Sequence, residues 1–177
     1  MKDTTGSRDQ KTFCARRVIC HHEERIQAPP VTIFPLLCPI EEYKWIDEWE
    51  CELVYSDSGV VEDNCIFREE ISSALFGSSA PATWITTLHD PDNARRHFVI
   101  VNDELVRKAE VSIEDSGEGV STVKWTTIAT TLNEKGNEHF EDLEGRLQLM
   151  LRFIATSLKH YCETGQILPR SELAPAH

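Results

Sequence analysis

The sequence predicts an α+β fold: a curved antiparallel sheet of about seven strands around one long C-terminal helix, with two short helices after the first strand. Three observations carry this expectation. Between Trp49 and Leu132, several short segments alternate apolar and polar residues, as half-buried strands do. Two of them, "LVRKAEVSI" and "STVKWTTIATTL", flank "EDSGEG", a hairpin signal with glycines at Gly117 and Gly119. From His139 to Tyr161, apolar residues fall at Leu143, Leu147, Met150, Leu151, Ile154, Leu158 and Tyr161, one stripe at helical spacing. A sheet with one apolar face must bury it, and only this helix is long and apolar enough to lie across it.

Each element follows from local chemistry. Phe13 to Ile26 is rich in β-branched and alternating residues and reads as the first strand, exposed on one side. "APP" at Ala28 to Pro30 then suits a helix start, where proline's missing N–H is not needed. "VTIFPLLCP" makes a short helix that breaks at Pro35 or ends before Pro39. "IEEYKWIDEW" reads as a second short helix or turn. In "WECELVY", Trp49, Cys51, Leu53 and Tyr55 share a face. In "NCIFREE", Cys65 and Phe67 are the inner residues. "ISSALFGSSAPA" is a long connection. "TWITTLH" and "RRHFVIV" flank the turn "DPDNA".

A Gly117–Gly119 loop pairs Val111 with Trp125, Ile113 with Val123 and Ala109 with Thr127. The same register gathers Lys108, Glu110 and Lys124 on the other face, which favours it over a one-residue slip. At "TTLNEKGNEHFEDL" a strand hands over to the helix. Asn133 or Thr131 can cap the start, Glu134 suits the positive end of the dipole, and Gly136-Asn137 loosens the approach. Gly165 can end the helix in a left-handed conformation. The expected organisation is a polar, flexible lead over residues 1–12, one domain over 13–165 and a loosely held tail over 166–177.

The bulk properties exclude several functions. A net charge of −12 repels phosphate backbones and anionic membrane surfaces, and Arg16-Arg17 and Arg95-Arg96 are too short for a nucleic-acid footprint. No run approaches the roughly 20 apolar residues of a membrane span. The six cysteines include no Cys-x-x-Cys pair. With no export signal, they read as reduced thiols in the cytoplasm and small core hydrophobes. No clustered metal ligands are visible, and no cofactor is expected. There is no Gly-x-Ser-x-Gly elbow, phosphate-binding glycine loop or His-Glu-x-x-His helix.

The order of elements resembles the helix-grip fold of the START and birch-pollen-allergen superfamily, also called SRPBCC or polyketide cyclase/lipid transport proteins. "RIQAPPVTIFPLL" is similar to its strand, Ala-Pro turn and short helix. "CPIEEYKWIDEWECELVY" is similar to the segment where an acidic residue and a Trp precede the second strand. "CIFREE" and "TWITTLHDPDNARRHFVIV" resemble a Phe-bearing strand and a Trp strand with its Asp turn and return. "TTLNEKGNEHF" and "LKHYCETGQIL" resemble the strand–helix junction and helix end of one bacterial subgroup. The resemblance runs from about Phe13 to Leu168. His89 and Asn102-Asp103 depart from it: an aromatic residue and a Pro-Gly-like turn are expected there.

The resemblance implies a cavity between sheet and helix that binds a small hydrophobic or amphipathic ligand such as a lipid, a polyketide-like molecule or an aromatic metabolite. Strand parity and the helix stripe place Trp49, Leu53, Phe67, Val111, Trp125, Leu147, Met150, Leu151 and Ile154 on its wall. Trp84 and Phe98 also belong to it if their face of the fourth and fifth strands is the inner one. Otherwise these residues fill a packed core. Arg107 shares the parity of Val111. Inward, it would meet a ligand carboxylate or phosphate. Outward, it is a snorkelling surface residue.

His89 and His97 are expected close together across the Asp-Pro hairpin, His97 as a general base. Glu69 shares the parity of Phe67 and, if buried, is a candidate acid. The "EE" pairs, Glu41-Glu42 among them, read as solvated faces. Three functions fit: ligand binding; a cyclase, dehydratase or hydrolase using His97, Glu69 and Arg107 as catalytic candidates; or a protein-interaction module like the superfamily members that activate a chaperone ATPase. A monomer or homodimer is expected.

Overall fold

The computed structural model describes residues 13–69 and 81–172. The "ISSALFGSSAPA" connection falls largely outside them, as do the expected lead over 1–12 and the last five residues of the expected tail. Seven strands form one antiparallel sheet: β1 (Arg17–Ile26), β2 (Cys51–Tyr55), β3 (Ile66–Glu69), β4 (Ala82–Asp90), β5 (Arg95–Val101), β6 (Leu105–Asp115) and β7 (Ser121–Thr131). Their spatial order is β1-β7-β6-β5-β4-β3-β2. Helix α1 (Pro30–Leu36) and a 3-10 turn (Glu41–Lys44) separate β1 from β2. Helices α2 (Glu134–Glu138) and α3 (Leu143–Thr164) follow β7.

The β6–β7 hairpin has the expected register, with Val111 opposite Trp125, Ile113 opposite Val123 and Ala109 opposite Thr127. Its tip needs positive φ at Gly117, Glu118 and Gly119, conformations that glycine takes without steric cost. On the outer face, Lys124 Nζ pairs with Glu114 at 2.6 Å and Lys108 with Glu110 at 2.5 Å.

Helix α1 starts as the prolines dictate, with Pro29 at its N-cap and Pro30 inside the first turn. Pro35 is carried within it, near the end of only seven residues. The expected long final helix divides: α2 is a single short turn of helix, and residues 139–142 reorient the chain before α3. Asn133 caps α2, its Oδ1 accepting from the Gly136 N–H at 2.9 Å. Gly136 does not loosen this junction. It is buried, and a Cβ there would lie 2.5 Å from the Glu104 carbonyl oxygen. Gly165 ends α3 with φ of 71°. The chain beyond it docks: Leu168 bridges to Ile46, and the Arg170 N–H donates to Asp47.

The main core joins α3 and α1 to β1, β6 and β7. A smaller core gathers Cys38, Cys65, Phe67, Phe98 and Ile100, and Trp84 packs against both. The buried side of α3 is wider than the expected stripe and includes Phe153, Ala155 and Ser157. All six cysteines are free thiols. Among the described residues, no helix is long and apolar enough to cross a membrane.

Two strand irregularities redirect side chains. Between Leu53 and Tyr55 the β2–β3 register shifts, and Tyr55 turns to solvent rather than sharing the inner face of Leu53. Between Thr86 and Leu88 the β4–β5 register shifts as well. His89 therefore pairs with Arg96, and His97 with Leu88. The two histidines lie on opposite faces, contrary to the expected proximity: His89 is inside beside Phe34, and His97 is outside beside Glu110. At the β5–β6 turn, Asn102 replaces the expected Pro-Gly-like sequence by chemistry of its own. Its side-chain oxygen accepts from the N–H groups of Glu104 and Leu105, closing an Asx turn.

Candidate functional site

A cavity of about 70 Å³ lies between the concave sheet and α3. The strands contribute Trp84, Phe98, Ala109, Val111, Trp125 and Thr127. Helix α3 contributes Met150, Leu151 and Ile154, and Leu37 closes the end nearest α1. Trp84 meets Phe98 edge-on at 5.4 Å between centroids, so the sheet wall is a continuous aromatic surface.

Seven of the residues expected on the wall line it: Trp84, Phe98, Val111, Trp125, Met150, Leu151 and Ile154. Four others do not. Trp49 is held behind Trp84 by its own bond to the Pro39 carbonyl, at 2.8 Å. Leu53 and Phe67 belong to the smaller core at the β2 edge, and Leu147 is consumed in packing the main core. Packing layers behind the wall share its parity, so parity alone cannot separate the two.

Arg107 is on the wall and buried. Its Nη1 lies 3.4 Å from the Met150 sulfur. Burial lowers its pKa, and nearby Glu69 opposes that shift. Glu69 is interior, as its parity implies, but it lies behind the wall, where Trp84 Nε1 donates to its carboxylate at 2.8 Å. Burial raises the Glu69 pKa, against the pull of Arg107 and the Trp84 bond. His97 is on the outer face and has no access to the cavity.

Glu42 is the wall residue that the sequence reading passed over. It sits in the 3-10 turn after α1. That turn is fixed by Trp45 Nε1 on the Leu36 carbonyl, Trp49 Nε1 on the Pro39 carbonyl and Tyr43 Oη on the Cys51 carbonyl. Glu41 turns outward to pair with Lys44, while Glu42 turns into the cavity. Burial pushes the Glu42 carboxyl up to about 8; Arg96 pulls it down and Glu69 adds to the rise. A signal existed: residues three apart eclipse in a 3-10 turn, and Glu42 is flanked at that spacing by Pro39 and Trp45, both buried.

The site thus combines an aromatic and aliphatic wall with the Glu42 carboxyl and the Arg107 guanidinium, and Glu110 also borders it. Among the described residues, no group of three or more His, Cys, Asp or Glu is placed to hold a metal ion.

The sheet wrapped on α3, with α1 and the 3-10 turn at one end, is a helix-grip fold. Solved structures with the same architecture include a START superfamily protein from Mycobacterium smegmatis, at 15% identity and a TM-score of 0.62, covering 84% of this chain and 99% of that one. An aromatase/cyclase from a Streptomyces species is 12% identical with a TM-score of 0.67, covering 84% and 94%. Norcoclaurine synthase from Thalictrum flavum, in complex with dopamine and hydroxybenzaldehyde, is 14% identical with a TM-score of 0.55, covering 80% and 86%. No family model matches the chain, and no curated protein matches it by sequence.

Proposed function

We propose that this chain binds a small hydrophobic or amphipathic molecule in the cavity between sheet and α3. The observation that carries the reading is a cavity with an aromatic and aliphatic wall into which the Glu42 carboxyl and the Arg107 guanidinium face. Burying the guest's apolar surface supplies the affinity, and Glu42 and Arg107 orient its polar group. The volume bounds the guest. One water occupies roughly 10–15 Å³ on this measure, so about 70 Å³ suits a ring or a short chain rather than a whole lipid. The named ligands of the norcoclaurine synthase, dopamine and hydroxybenzaldehyde, are small aromatics and fit the same inference.

Native mass spectrometry of the freshly purified protein should find a copurified small molecule, and a fluorescent apolar probe should bind. Trp125→Arg places a charge on the wall and is expected to abolish probe binding in a folded variant. Unchanged probe affinity would overturn the reading.

One observation favours an enzyme on the same cavity. A carboxyl that burial raises to about 8, facing a largely apolar cavity, is poised as a general acid or base. Arg107 would stabilise an oxyanion that develops within reach. The aromatase/cyclase among the structural neighbours supports the same class of chemistry. Glu42→Gln separates the readings, because it retains probe affinity and removes turnover only if the cavity is catalytic.

A further inference from the structure

A second and larger space lies outside the sheet–helix cavity. It holds about 500 Å³ and opens between α1, the β2–β3 loop and the β4–β5 hairpin. The 3-10 turn and its approach separate the two spaces: Leu37 and Glu42 face the inner cavity, while Cys38, Ile40 and Glu41 face the outer one. Phe34, Ile40, Val60, Val61 and Pro91 give the outer space an apolar lining.

Its rim is built rather than loose. The Glu62 carboxylate accepts from Ser56 Oγ at 2.7 Å and from the backbone N–H groups of Asp57 at 2.5 Å and Ser58 at 3.0 Å, which draws the β2–β3 loop together. Asp63 accepts from the His89 N–H at 2.6 Å and ties that loop to the hairpin.

Arg96 forms part of the lining, only 1% exposed. The Phe34 ring lies over its guanidinium, 4.5 Å from centroid to carbon. Nη2 donates to His89 Nδ1 at 3.2 Å, which requires the neutral imidazole with its proton on Nε2. The other two nitrogens, Nε and Nη1, are shielded from solvent and have no hydrogen-bond partner. Glu42, the acid that acts on Arg96 from the inner side, forms no ion pair with it. A buried guanidinium with two unpartnered nitrogens is costly, and an oxyanion brought to either of them recovers part of that cost through a charge-assisted bond. The acids around the rim do not meet this need. Glu41 is engaged with Lys44, Glu62 with its loop, and Asp63 with His89.

We infer that the space between α1, the β2–β3 loop and the β4–β5 hairpin is a second ligand site, which takes an apolar molecule carrying a carboxylate and anchors it on Arg96. The apolar body lies on Ile40, Val60, Val61 and Pro91. The head group enters beside Phe34, displaces the side chains that shield Arg96 and accepts from one of its unpartnered nitrogens.

The test uses phenylbutyrate and its neutral counterpart phenylbutanol, titrated into the full chain and followed by amide proton–nitrogen correlation NMR. Phenylbutyrate should bind at least about tenfold more tightly than the alcohol and shift the amides of Cys38, Val60 and Val61. Arg96→Gln should bring the two affinities together. Should that variant fail to fold, Val60→Trp fills the mouth from a rim position that is 58% exposed and leaves the core alone; it should weaken phenylbutyrate by at least about tenfold. The proposal is overturned by any of four results: no binding at millimolar ligand, equal affinity for acid and alcohol, shifts confined to Trp84, Met150 and Ile154, or unchanged affinity in Val60→Trp. The last two would leave the inner cavity's proposed role intact.

Discussion

The β6–β7 hairpin and the connection from Cys38 to Trp49 make an instructive contrast. The hairpin is regular. Val111, Ile113, Val123 and Trp125 alternate inward, and lysines and glutamates alternate outward. The connection has almost no repeating geometry and is held by indole and phenol bonds to backbone carbonyls. The hairpin supplies much of the cavity's wall. The connection supplies Glu42, the group there that can hold or release a proton near neutral pH. Regular structure shapes the space, and irregular structure brings a titratable carboxyl to it.

The contrast predicts unequal responses to substitution. The largest effect belongs to the core side of the regular hairpin, where close packing leaves little room to relax. Ile113→Ala should lower unfolding free energy by about 2–5 kcal/mol in urea titrations. A cost well below that range would mean that the hairpin is as adaptable as the connection.

The second effect is smaller, and its sign depends on pH. Burial holds the folded-state pKa of Glu42 at about 8 against an ordinary value of 4.5. Between these values the folded chain binds more protons than the unfolded chain, so stability falls as pH rises through that window. Glu42→Gln cannot ionise and escapes this loss. It should exceed the parent by roughly 1–3 kcal/mol above the folded pKa and converge with it below the unfolded one. Urea titrations at the two ends of the window measure the difference, and parallel pH profiles would show that Glu42 is solvated in the folded state.

The smallest effect is outside the wall. Lys124→Ala removes the exposed pair with Glu114 and should shift stability by no more than about 0.5 kcal/mol, vanishing in high salt. A larger loss in thermal melts would give the outer face a share in the hairpin's rigidity.

The sequence made most of the architecture legible because strands and helices repeat. Alternation located β6 and β7 and fixed their pairing. The stripe from Leu143 to Tyr161 located α3, and Gly165 its end. What escaped has no period. A single extra residue at Thr87 reverses the faces of everything beyond it, and this separates His89 from His97. The role of Gly136 depends on a carbonyl more than thirty positions away, at Glu104, which no local pattern reveals. Trp49, Leu53, Phe67 and Leu147 have the right parity and the wrong depth. Glu42 looked like half of a solvated acidic pair, because the spacing that turns it inward belongs to a 3-10 turn rather than to a helix or strand.

Trp84 carries a practical corollary. Its indole borders the inner cavity, stacks edge-on with Phe98, touches Trp49 and bonds to Glu69. Trp125 borders the same space, whereas Trp45 and Trp49 do not. Half of the chain's four indoles therefore sit where the proposed guest would change their surroundings, and the protein's own ultraviolet emission would serve as an unlabelled gauge of occupancy.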